Sequence, residues 1–206
     1  MPDTIAKVAT FALLAAGIVL PEALGLLNAD YSAVSNYLSE LGALGAPSAT
    51  AANYFGFLPV SIAVFTLVVV LWQRLPARPL IRAGLIGLLG ISVGYLGAFL
   101  FPCDAGCPAE GSQRQALHNL AGLVQYAGAL VGLFLVYAGL RRTSLELEQL
   151  PLITLVVACW VLAAVFMMFT PELQSIRGLS QRLADYSLFV WLALATVATG
   201  RHARPA

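Results

Sequence analysis

Six stretches of about twenty apolar residues run through the chain, at about 4–27, 54–73, 80–101, 117–140, 150–169 and 184–199. A hydrocarbon core of about 30 Å takes roughly 20 residues of helix to cross. The runs are continuous rather than alternating, which argues against a membrane β-barrel. Backbone groups in lipid must be satisfied within their own segment, so each run is expected to be a helix. The expectation is an all-α fold, a six-helix transmembrane bundle forming one domain over 1–206. The charge content agrees. Only 10% of the 206 residues are charged and 60% are hydrophobic, against roughly 25% charged in a soluble domain. That excludes a water-soluble domain and a disordered chain. A net charge of +1 leaves no basic footprint for nucleic acid.

Prolines punctuate the runs. Pro76 and Pro79 separate the second and third spans, Pro102 and Pro171 stop the third and fifth, and Pro151 sits where the fifth begins. Pro21 and Pro59 fall inside spans and predict kinks. The first span resembles a leader peptide, but its single Lys7 is a poor basic region, which favours a retained helix.

Lys and Arg set the expected orientation. Lys7, Arg74, Arg78, Arg82, Arg141, Arg142, Arg201 and Arg204 fall on the side of the termini. Arg114, Arg177 and Arg182 fall on the other, so the eleven cations divide eight to three. Both termini are therefore expected in the cytoplasm of a cell-membrane protein. The acids divide the opposite way: Glu22, Asp30, Glu40, Asp104, Glu110, Glu172 and Asp185 lie outside, and Asp3, Glu146 and Glu148 inside.

Polar chemistry gathers at the outer side. The first outer loop carries Asp30, Tyr31, Ser35, Asn36, Tyr37, Ser39 and Glu40, in a pattern that suits a short interfacial helix with its tyrosines at headgroup depth. The second holds Cys103-Asp104-Ala105-Gly106-Cys107 between two prolines. A disulfide turn, free thiols and a metal site shared with His118 and Asp104 all stand as readings. His118 is either a capping residue or a proton acceptor and donor. Arg182 and Asp185, three apart on a helix, share a face and are expected to pair, with Asp30, Glu40 and Asp104 as other partners for Arg182. Glu22 is the acid set deepest in the outer half and should face the bundle or a wet cavity. A single outer histidine excludes a three-histidine zinc hydrolase and bis-histidine haem. Glycines at 84, 87, 90, 94 and 97, and at 122, 128, 132 and 139, predict close packing of the third and fourth helices. No Walker loop, nucleophile elbow or dinucleotide fingerprint occurs.

Several short motifs follow in order: Ser35-x-Tyr37-Leu38-Ser39-Glu40-Leu41-Gly42, Pro47, Asn53-x-x-Gly56-Phe57, Phe101-Pro102-x-Asp104, His118-Asn119 and Gly178-x-x-Gln181-Arg182. Together they make the chain resemble a prokaryotic six-helix membrane family catalogued as domain of unknown function 998. The resemblance implies a small multi-pass membrane protein and no particular reaction. Its recurring polar positions fall here on Ser35, Ser39, Glu40, Asn53, Asp104, His118 and Arg182. A looser similarity to membrane hydrolases related to alkaline ceramidases fails for want of their histidines.

Three functions are then expected to compete. The first is binding or moving a lipid or small amphiphile in an outer pocket built from Glu22, Asp30, Glu40, Asn53, Asp104, His118, Arg182 and Asp185. The second is a lipid-modifying enzyme, with His118 as acid/base, Asp104 or Glu40 orienting it, and Ser35 or Ser39 as nucleophile or substrate ligand. The third is a non-catalytic accessory subunit. The expected partners are membrane lipids and a small amphiphilic ligand, with no cofactor and no resident metal. Nothing in the sequence sets an oligomeric state.

Overall fold

A computed structural model of the chain describes residues 3–142 and 149–202. Glu146, Glu148 and Arg204 from the charge tally lie outside them, as do the side chains of Arg201 and His202. The described residues contain helices and no strand. Six helices are long and apolar enough to cross a membrane: α1 Asp3–Leu27, α2 Ala49–Arg74, α3 Pro79–Leu100, α4 Gln113–Leu140, α5 Leu150–Phe169 and α6 Arg177–His202. The molecule is a multi-pass membrane protein. Short 3-10 helices Leu38–Gly42 and Pro171–Ile176 lie between α1 and α2 and between α5 and α6.

Most spans begin before the apolar run does. α4 opens four residues early, where Ser112 caps it by accepting from the Gln115 N–H at 3.2 Å. α6 opens seven residues early, through the polar segment Arg177–Leu183. Hydropathy ends where polar side chains begin, but the helical ladder continues wherever those side chains find partners.

The two mid-span prolines produce π-turns rather than simple breaks. Ala15–Val19 and Ala52–Phe57 are π-helical, and the Leu20 and Leu58 N–H groups bond back five residues to Ala15 and Asn53. Proline removes a donor and its ring crowds the carbonyl four residues earlier. One extra residue in the preceding turn relieves both.

α3 and α4 touch backbone to backbone. A Cβ added at Gly87 would sit 2.8 Å from the Gly128 carbonyl, and one at Gly132 would sit 2.7 Å from the Gly84 carbonyl. Between α2 and α3, Ser61 and Ser92 each donate to the other's carbonyl at 2.9 Å, satisfying both hydroxyls away from water. Trp191 of α6 donates to Thr154 of α5 at 2.9 Å. Leu13, Leu67, Leu88, Leu133, Leu188 and Trp191 fill the centre. The start of α1 meets the ends of α2 and α6, where Arg74 bonds Asp3 at 2.7 Å and the Thr196 carbonyl at 2.9 Å. The opposite end, called outer below, carries the loops 28–48 and 101–112.

Candidate functional site

Asp185 sits on α6 inside the outer half of the bundle and is only 1% exposed. It accepts from Tyr95 Oη of α3 at 2.9 Å and from Gln125 Nε2 of α4 at 2.8 Å, and Tyr126 bonds it as well. Gln181, one helical turn before it, donates to Tyr126 Oη at 3.3 Å. These side chains line a cavity of about 50 Å³ that reaches His118, Ser39 and Gly122. That space holds a few waters or a polar head of a few heavy atoms, since one water needs about 10–15 Å³ of such volume. Gly122 also lines it, and a Cβ added there would meet nothing within 4 Å.

His118 bonds the Phe101 carbonyl through Nδ1 at 3.0 Å. A carbonyl only accepts, so the neutral ring carries its proton on Nδ1 and keeps Nε2 as an acceptor. Ser39 lines the same cavity, but its hydroxyl lies 3.4 Å from Cys107 Sγ. Cys103 and Cys107 form a disulfide. One ring nitrogen of His118 lies within 4.8 Å of both sulfurs; the S–S bond occupies the two thiolates that a metal would require. The bridged turn has Gly106 and Cys107 at φ +76° and +44°.

A strap, residues 28–42, covers the outer end of α6 and is pinned by two arginines. Arg182, 5% exposed, donates through Nε to Glu22 at 2.8 Å, through Nη2 to Tyr31 Oη at 2.7 Å and through Nη1 to the Ala33 carbonyl at 3.0 Å. Tyr186 also donates to Glu22. Arg177 bonds Glu40 at 2.9 Å and the Ser35 carbonyl at 3.0 Å, and its guanidinium lies over the Tyr37 ring. Glu40 in turn accepts from the Tyr37 N–H at 2.8 Å, capping the 3-10 helix. That helix turns Leu38 and Leu41 inward, where both are buried. Gly178 has no room for a side chain, because a Cβ there would overlap the Asn36 carbonyl at 2.1 Å. Burial of the strap's own Tyr31 and Tyr37 pushes their phenols above their ordinary values.

The acids and polar groups anticipated as one pocket are thus distributed over several assemblies. Asp185, His118 and Ser39 meet at the cavity. Glu22 and Arg182 form one strap anchor and Glu40 belongs to the other. Ser35 contributes only its backbone carbonyl to Arg177. The expected Arg182–Asp185 pair is replaced: Arg182 takes Glu22, and Asp185 takes neutral donors. Asn53 is buried and donates to the Gly42 and Ala49 carbonyls at 2.9 and 2.8 Å. Asp104 receives the Ser112 N–H and hydroxyl, each at 2.8 Å, and these hold its carboxyl below the ordinary carboxylate range. Asp30 is exposed and does not line the cavity. Sequence reasoning missed Gln125, Tyr95 and Tyr126, and met Gln181 only as part of a motif, without a role. Their signal was present as neutral hydrogen-bonding groups inside or beside apolar spans, which must find partners in a bundle.

The sequence profile of the family described as "Protein of unknown function (DUF998)" matches residues 8–198. The chain belongs to the DUF998 family. That match covers α2 to α5 of this DUF998 protein entirely and most of α1 and α6, with the strap and every residue lining the outer cavity. No curated protein and no solved structure matches the chain.

Proposed function

We propose that this DUF998 protein binds the polar head of a lipid or small amphiphile in the outer cavity, and that the head carries an amine. One observation carries the proposal: Asp185 is an acidic group enclosed by the bundle whose direct partners, Tyr95, Gln125 and Tyr126, are all neutral. Arg182, the nearest cation along the helix, is directed to Glu22, Tyr31 and the strap. Ionisable groups at membrane depth mark ligand and ion paths, and a cationic head would supply the missing opposite charge. Gly122, which lines the cavity, stands between the exposed Leu120 and Leu123 with open space beside it, so a chain-bearing ligand would approach past it from the membrane. The eight-to-three division of cations supports placing this cavity at the outer face of the cell membrane, with both termini cytoplasmic.

Dodecylamine and dodecanol, titrated against the purified protein in detergent, test the idea. The amine is expected to raise the melting temperature above the alcohol, Asp185→Asn to erase the difference, and Gly122→Trp to erase it while folding normally. Equal effects of the two probes on the wild type would refute it.

A second reading, a lipid-modifying enzyme, is favoured by one fact: Ser39 and the acceptor-bearing His118 ring line the same cavity. It requires turnover of a supplied lipid that His118→Ala abolishes.

A further inference from the structure

At the inner end, a groove of about 640 Å³ runs between α1 and α6. Its head is cationic. Lys7 is exposed and has no ion pair or hydrogen bond among the described residues. Arg74 stands behind it, mostly covered, with one nitrogen on Asp3 and another on the Thr196 carbonyl. Among the described residues, two cations against one carboxylate leave the head with a net charge of +1. Below the head the walls become apolar: Phe11, Leu14 and Val197 lead toward the middle of the span. Phe11 and Val197 are themselves exposed on the outside of the bundle. Thr196 belongs to the groove wall, and its hydroxyl is buried with no hydrogen-bond partner among the described residues.

A positive head above an apolar trough that opens sideways matches one class of molecule. We infer that this groove is a binding site for an anionic phospholipid, its phosphate against Lys7 and Arg74 and an acyl chain along Phe11, Leu14 and Val197. Free phosphate matches the head but leaves the apolar walls unmatched, and a zwitterionic phospholipid brings a cation along with its phosphate and so leaves the head's positive charge uncompensated. The cation-rich end of the bundle is the one expected to face the cytoplasm, and basic pockets between helices on that side are suited to acidic head groups. The site lies at the other end of the molecule from the outer cavity and does not rest on the function proposed for it.

The test uses the whole purified protein in detergent, with phosphatidylglycerol and phosphatidylcholine of identical chains, read by melting temperature and native mass spectrometry. Phosphatidylglycerol is expected to raise the melting temperature and to remain bound as a single adduct, while phosphatidylcholine does neither. Lys7→Ala should weaken phosphatidylglycerol about fivefold and Lys7→Glu about tenfold or more, from the contribution of one surface cation to binding acidic lipid. Val197→Trp should block the trough and remove the adduct. Lys7 is exposed, so its variants probe binding without the core being touched. Equal retention of the two lipids would overturn the inference. So would an unaltered Lys7→Glu protein, a shift by inorganic phosphate as large as that by phosphatidylglycerol, or a dimer in place of the lipid adduct. Asp185→Asn should leave the phosphatidylglycerol preference intact, which separates failure here from failure at the outer cavity.

Discussion

A guanidinium presents its N–H donors in a fixed plane, and Arg182 uses that plane to join two helices and a loop. Its partners are Glu22 on α1, Tyr31 and the Ala33 carbonyl on the strap, and the Gly178 carbonyl on its own helix. Removing the cation leaves a carboxylate, a phenol and several carbonyls short of a donor. Arg182→Met is expected to destabilise the protein by about 1.5–3 kcal/mol, the range for lost hydrogen bonds to a charged group, because the carboxylate left behind is part-exposed rather than buried. Glu22→Gln should cost less, because the Glu22 side chain is 42% exposed and retains water. Chemical unfolding in micelles of matched composition measures both. The sequence made the importance of Arg182 legible but not its partner. Spacing along one helix favoured Asp185, whereas the contact that forms comes from a helix 160 residues away in sequence, and no rule of local spacing reaches that far.

Among elements, α3 and α4 depend most on small residues. Gly128→Leu would drive a side chain into the Gly87 carbonyl, 2.6 Å from its first carbon. Overpacking of this kind costs about 1–3 kcal/mol or more, and here it opposes backbone rather than a movable side chain. The expected outcome is loss of the monodisperse peak in size-exclusion chromatography, while Gly122→Leu, which meets nothing, keeps it. Six spans were legible because length and apolarity suffice to identify a crossing. The π-turns were half legible: Pro21 and Pro59 announced irregularity, but not that the preceding turn would widen. Each widened turn adds one residue, which rotates the remainder of the helix by about 100°. A helical wheel drawn straight through α1 therefore misplaces Glu22. The cavity was least legible, because its neutral lining residues blend into apolar runs and only three-dimensional packing collects them.

For the whole molecule, the uneven cations predict sidedness. In a Cys159→Ser background, Ala109→Cys in the second outer loop should react with a membrane-impermeant maleimide on intact cells. Ala77→Cys, between α2 and α3, should react only after lysis. The reverse pattern would invert the orientation, and labelling of both in intact cells would break it. The two ends also differ in how they hold α1. That helix buries the smallest share of any span, yet it carries a charged contact at each tip, Asp3 with Arg74 and Glu22 with Arg182. A rod moored at both tips and loosely bedded along its middle tilts rather than drifts away when one mooring is released. Of the six crossings, α1 is the one whose inclination is governed from its extremities.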